Sequence, residues 1–200
     1  ITATPVPRWD LVAINQYSSL AIQYSRGCPF DCEFCDITVL YGRESRTKTP
    51  AQMCAELDAI YATGWRGTIF IVDDNFIGNR VNVRELLPVL ARWQTERDYP
   101  FSFFTEGSMD LALESMRDVR DGMVDAGFIA VFCGIESTNR DVLKRMRKGQ
   151  NKGDLEQSVL ALQRAGLEVT AGFIIGNDDD TPKVFDELFV CSFLLRNDWS

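Results

Sequence analysis

Three cysteines stand within one eight-residue stretch: Cys28, Cys32 and Cys35, in the run Ser25-Arg26-Gly27-Cys28-Pro29-Phe30-Asp31-Cys32-Glu33-Phe34-Cys35. The C-x3-C-x2-C spacing is short enough for one loop to wrap a single inorganic cluster. A cubane cluster has four irons, so three thiolates leave one iron without a protein ligand. An open position is what separates a catalytic metal centre from a closed structural one. The plainer reading is a zinc knuckle or an electron-carrying iron–sulfur module whose fourth ligand is a distant cysteine. Cys54, Cys133 and Cys191 are the candidates for it, although core packing is the default for all three. The chain contains no histidine. That removes Ser-His-Asp and Cys-His schemes and every zinc site with an imidazole ligand, leaving cysteines, carboxylates or a cofactor to carry chemistry.

The elements that must hold this loop are legible as an alternation. Short runs dense in apolar or β-branched residues, at 20–25, 68–72, 101–105, 129–135 and 169–175, predict strands buried on both faces. Helices are expected between them. Thr49-Pro50-Ala51-Gln52 reads as a capping box with proline at the first helical position, followed by Met53, Leu57 and Ile60 and stopped by Gly64. Further helices are expected at about 82–95, where Pro88 should kink the helix or mark an irregular first turn, and at about 114–126, 140–147 and 154–165. A last one starts at Thr181-Pro182. Five β-then-α units predict parallel strands with right-handed crossovers, hence an α/β sheet or barrel. A complete eight-unit barrel takes about 250 residues. The 200 residues here therefore predict a partial (β/α) barrel that stops after the fifth unit. Residues 1–15 read as a lead-in arm or linker, and 16–200 as one core domain incomplete at its C-terminus.

Composition narrows the class of function. Apolar residues at 46% and charged residues at 25% describe an ordinary soluble domain, and no apolar stretch approaches a membrane span. A net charge of −8 argues against a mainly electrostatic nucleic-acid binder. Three clustered and three scattered cysteines suit a reduced, cytoplasmic metal site better than paired disulfides.

In a parallel barrel the functional groups gather just after the strands. The segments in those places are Asp73-Asp74-Asn75, Thr105-Glu106-Gly107-Ser108, Gly134-Ile135-Glu136-Ser137 and Gly172-Phe173-Ile174-Ile175-Gly176-Asn177-Asp178-Asp179. All are rich in hydrogen-bond acceptors. The plainer reading of Asp73-Asp74-Asn75 is a solvated acidic turn, whereas a carboxylate such as Glu136 directly ending a buried strand is awkward without a partner. Lys144-Arg145-Met146-Arg147-Lys148 is the one basic run, and a solvated helix face is its leading reading.

The triad resembles the signature of the radical S-adenosylmethionine (SAM) superfamily. The resemblance implies a four-iron four-sulfur cluster whose fourth iron is chelated by SAM. It also implies reductive cleavage of SAM to methionine and a 5′-deoxyadenosyl radical. It places Phe34 near adenine, an acceptor among Asp73, Asp74 and Asn75 on the SAM amino group, and Glu136 and Ser137 near SAM. It sets Gly172, Ile174 and Gly176 against adenine, with Asp179 where the family usually has glutamate. Pro7-Arg8-Trp9-Asp10-Leu11, Cys32-Glu33-Phe34-Cys35-Asp36-Ile37, Val72-Asp73-Asp74-Asn75-Phe76-Ile77-Gly78-Asn79 and Pro100-Phe101-Ser102-Phe103-Phe104-Thr105-Glu106 look like the cobalamin-binding, hopanoid methylase-like branch. For a full-length parent this suggests methyl transfer through cobalamin. It further implies a small-molecule substrate and a reducing electron donor such as a flavodoxin or ferredoxin. An RNA-modifying methylthiolation enzyme shares the triad, but the acidic balance makes it less attractive.

Overall fold

The computed structural model describes residues 1–194. The strands are β1 Ser19–Ile22, β2 Ser25–Arg26, β3 Arg46–Thr47, β4 Gly67–Ile71, β5 Phe101–Gly107, β6 Phe128–Glu136 and β7 Glu168–Phe173. The helices are α1 Ile37–Leu40, α2 Pro50–Ala62, α3 Arg80–Thr95, α4 Arg117–Asp125, α5 Arg140–Arg145, α6 Leu155–Arg164 and α7 Lys183–Leu194. Five strands form one parallel sheet in the order β1-β4-β5-β6-β7. Helical chain joins each of these strands to the next, as parallel pairing requires.

Local chemistry sets the boundaries. Thr49 Oγ1 accepts from Gln52 N–H and Gln52 reaches back to Thr49 N–H, so the expected capping box starts α2. Asn79 caps α3 by accepting from Asn82 N–H at 3.1 Å, which moves the start of this helix two residues ahead of the expected one, and α3 runs on through Pro88. Asp154 caps α6 through Gln157 N–H.

The sheet is not buried equally on its two faces. Along β5, Phe101, Phe103, Thr105 and Gly107 are buried, while Ser102, Phe104 and Glu106 are half-buried. The buried set joins Ile69, Ile71, Phe128, Val131 and Cys133 in a core against the helices, with Phe103 and Phe128 rings 5.3 Å apart. The other face carries Phe70 stacked on Phe104 at 4.4 Å, then Glu106 level with Phe132. Period-two alternation thus fixes which side chains can reach a site on that half-open face.

The first expected strand, at 20–25, divides in two. Asp73, at the end of β4, accepts Tyr24 N–H at 2.7 Å and Ser25 N–H at 2.9 Å on Oδ1, and Ser25 Oγ–H at 2.6 Å on Oδ2. Those bonds take the amides that would have continued the ladder. The chain leaves the sheet and pairs antiparallel as β2 with β3, Ser25 opposite Thr47 and Arg26 opposite Arg46. Residues 27–45 lie between these two short strands, so the cysteine loop is clasped at its base.

Candidate active site

The loop begins at Gly27, whose φ of +97° is open to glycine. Gly27 N–H donates to Asp74 Oδ2 at 3.1 Å, and Cys28 N–H donates to Gly42 O at 3.3 Å. Both bonds fix where the first thiol points. Cys28, Cys32 and Cys35 open on one cavity of about 160 Å³. Its other walls come from the ends of three successive parallel strands: Asp74 and Asn75 after β4, Glu106 to Ser108 at the end of β5, and Phe132, Gly134 and Glu136 of β6. Phe30, Phe34, Lys148 and Gln150 complete it.

Asn75 is buried and works in two directions. Its Oδ1 accepts Ser108 N–H at 3.2 Å, and its Nδ2 faces Cys28 Sγ at 4.0 Å. Gln150 Nε2 donates to Cys32 Sγ at 3.3 Å. Two side-chain amide donors therefore face sulfur. Burial pushes the Cys28 thiol up. Burial, followed by the Asp74 carboxylate, also pushes the Glu106 carboxyl up. The hydroxyl of Ser108 is buried without a partner among the described residues.

Glu136 answers the concern about a carboxylate at a strand end. Its Oε1 accepts from Lys148 Nζ at 2.7 Å, both side chains being 10% exposed, and Lys148 Nζ lies 5.6 Å above the Phe34 ring. Glu136 holds φ of +65°, a left-handed backbone rare for a residue with a Cβ, at a register shift between β6 and β7. Gly134 is the space this pair requires: a Cβ there would meet Glu136 Oε1 at 2.2 Å and Lys148 Nζ at 2.8 Å.

Several expected positions fall elsewhere. Asp73 has its oxygens engaged by Tyr24 and Ser25, as described above, so it braces the loop base, and Asp74 and Asn75 are the members of that trio on the cavity. Ser137 lines a neighbouring cavity of about 320 Å³, and its Oγ accepts Asn139 N–H at 3.1 Å. Gly172, Ile174 and Gly176 do not line the triad cavity. A Cβ at Gly172 would meet the Phe132 ring at 2.8 Å, Ile174 N–H donates to Glu136 O, and Gly176 N–H donates to Asp180. The basic run is more than a solvated face. Arg145 pairs with Asp179, Arg147 stands 3.5 Å from Asp31, and Lys148 is the buried partner just described. Lys148 and Gln150 reach the triad from over 110 residues away in the chain, and only the awkward strand-end glutamate hinted that a cation was needed.

No scattered cysteine joins the triad. Cys54 packs on the core from α2, Cys133 lies within it, and Cys191 lines the neighbouring cavity. Burial pushes the Cys133 thiol up to about 12, as suits an inert core group. Among the described residues, no group of three His, Cys, Asp or Glu side chains converges as the ligands of a single metal ion would. A cubane, which places each thiolate on a different iron, needs its cysteines around a wider cavity. Three thiols of one loop, two sulfur-facing amides and acceptors across the cavity fit that group with one corner left open.

Known proteins resemble this chain in sequence and in fold. Over 189 residues the chain is 50% identical to an uncharacterized methyltransferase of Synechocystis sp., covering 94% of this chain and 35% of that protein. It is 40% identical over 184 residues to the hopanoid C-2 methylase of Rhodopseudomonas palustris, covering 92% and 34%. The chain thus spans about a third of the length of these curated relatives. Its fold matches the cobalamin-dependent SAM radical enzyme OxsB, solved with aqua-cobalamin and SAM, at a TM-score of 0.72 and 22% identity, covering 96% of this chain and 28% of that one. It also matches TsrM from Kitasatospora setae, a radical SAM methyltransferase, at 0.75 and 17%, covering 89% and 34%. The likeness supports the α/β fold of this chain, with its five parallel strands as a partial barrel. The radical SAM superfamily model matches residues 22–189, from the end of β1 into α7, and the chain belongs to that superfamily.

Proposed function

We propose that this chain is the cluster- and SAM-binding core of a cobalamin-dependent radical SAM methyltransferase acting on a small molecule. The observation that carries the reading is three thiols of one loop facing acceptors from three consecutive strand ends, with no fourth thiol in the cavity among the described residues. When bound, the cluster and SAM supply one-electron cleavage of a sulfonium carbon–sulfur bond to methionine and a 5′-deoxyadenosyl radical.

The chain's own residues hold and orient. Cys28, Cys32 and Cys35 would hold the cluster. Asp74 and Glu106, with Asn75 beside them, present acceptors suited to the ammonium and sulfonium charges of SAM. Phe34 offers a ring face for a flat base. Lys148 orients Glu136 through Oε1. The superfamily works with a four-iron cluster and SAM, and the cobalamin-bound relatives support cobalamin as the methyl carrier in the whole protein. A reducing one-electron donor protein belongs to the same reading, and among the described residues no helix is long and apolar enough to cross a membrane.

The test is anaerobic reconstitution of the full-length protein with iron and sulfide, then electron paramagnetic resonance of the reduced protein with and without SAM. The expected result is about four irons per chain, a signal that shifts when SAM binds, and release of 5′-deoxyadenosine. A cluster signal indifferent to SAM, or one zinc enclosed by thiolates, overturns the proposal.

A further inference from the structure

Gln150 lies on the turn after α5, and the segment 146–150 is strapped across the cysteine loop. Glu33 N–H donates to Met146 O at 3.0 Å, Arg147 stands 3.5 Å from Asp31, and Lys148 covers the Phe34 ring. The strap is itself pinned. Lys152 N–H donates to Gln150 O at 3.0 Å, Asn151 N–H to Lys148 O at 3.2 Å, and the Asn151 side-chain amide to Ile135 O at 2.7 Å. Gln150 is 4% exposed and therefore has little freedom to turn. It aims Nε2 at Cys32 Sγ from 3.3 Å, while its Oε1 has no partner among the described residues. The opposite amide orientation would set a carbonyl oxygen against a thiolate, acceptor against acceptor, so the chemistry selects the one found.

We infer that Gln150 is a positioning residue that donates a hydrogen bond to the Cys32 thiolate and thereby raises the reduction potential of the cluster. The inference rests on the reading of Cys28, Cys32 and Cys35 as the cluster's ligands. Reduction adds one negative charge to the cluster and its sulfurs. An N–H dipole held against a ligand sulfur stabilises the more negative state more than the less negative one. The donor itself is buried, so water screens its dipole less than it would in the open. The three ligands are also unequal: Cys28 takes the longer Asn75 side-chain contact at 4.0 Å and a main-chain bond from Phe30, and Cys32 takes the short Gln150 contact at 3.3 Å. One such bond is expected to change the reduction equilibrium about tenfold, which is about 59 mV for one electron.

The experiment is a mediated reductive titration of the reconstituted full-length protein, followed by electron paramagnetic resonance, for wild type, Gln150→Leu and Gln150→Met. Both substitutes are close in volume and lack a donor, and methionine adapts where leucine would not fit. The expected result is full iron and sulfide content in at least one variant, with a midpoint potential about 59 mV below wild type. An unchanged midpoint at full iron content overturns the inference and leaves the function untouched. Loss of iron from both variants also overturns it, because a purely structural role accounts for that. A wild-type protein that takes up no four-iron cluster overturns the underlying reading instead.

Discussion

Gly27 and Gly42 separate two causes that usually act together when a glycine at positive φ is replaced. Both lie in the cysteine loop, at φ +97° and +81°. At Gly42 a Cβ would meet nothing within 4 Å, so alanine there costs only the left-handed backbone, about 1 kcal/mol. At Gly27 a Cβ would lie 2.4 Å from Glu44 O and 3.0 Å from Gly42 O, both main-chain atoms that cannot swing aside. Relief requires a displacement of about 1 Å, resisted by the Gly27–Asp74 hydrogen bond and the β2–β3 pairing. Overpacking of this kind costs roughly 1–3 kcal/mol beyond the backbone term. Gly27→Ala should therefore be about 2–4 kcal/mol less stable than wild type, and Gly42→Ala about 1. The shift falls on the residue before Cys28, so iron uptake should drop with it. Urea unfolding of the metal-free proteins and iron content after anaerobic reconstitution read the two effects separately. Equal unfolding midpoints and equal iron content for the two variants would refute the steric account of the loop.

Other outcomes follow from the same geometry. Burial pushes the Asp73 carboxyl up to about 6. Between the unfolded carboxylate range and about 6 the folded state then binds the extra proton, so stability should fall as pH rises through that window, by at most about 3 kcal/mol. Asp73→Asn keeps an acceptor for Tyr24 and Ser25 and should flatten this dependence, and an unaltered slope in urea melts at pH 4 to 7 would assign it to another group. Gly134→Ala should part Glu136 from Lys148 and weaken SAM binding severalfold at unchanged iron content, which calorimetry on the reconstituted protein can measure.

Much of the frame was written in local signals that tertiary contacts left alone. The five apolar runs became the five parallel strands, because each is long enough to bury one face whatever lies on the other. The capping box at Thr49 and the cap at Asp154 fixed their helices because the bonds concerned reach only three residues. The error in the first strand has a different origin. Tyr24 and Ser25 are β-formers by propensity, but Asp73 lies 48 residues from Ser25 and takes its amide out of the ladder. No local pattern carries that information. Expecting strands buried on both faces failed for a related reason: Phe70, Phe104 and Phe132 read as core, yet they line a half-open face where the site lies.

The triad was legible because one short loop supplies all its thiols, and the acceptors of the strand ends because a parallel barrel gathers its functional groups there; Lys148 and Gln150 were not, because they arrive on the strap from over 110 residues away. This division explains the strain at Glu136. A carboxylate ending β6 can avoid the core only by turning, and its φ of +65° makes that turn. A backbone in this region costs about 1–3 kcal/mol and persists only where surrounding contacts over-determine it. Here those contacts are the Lys148 pair, the Ile174 N–H on Glu136 O, and the absence of a Cβ at Gly134. The strained residue and the strap therefore hold each other in place. A substitution that relaxed Glu136 would release Lys148 from Phe34 before it loosened the sheet.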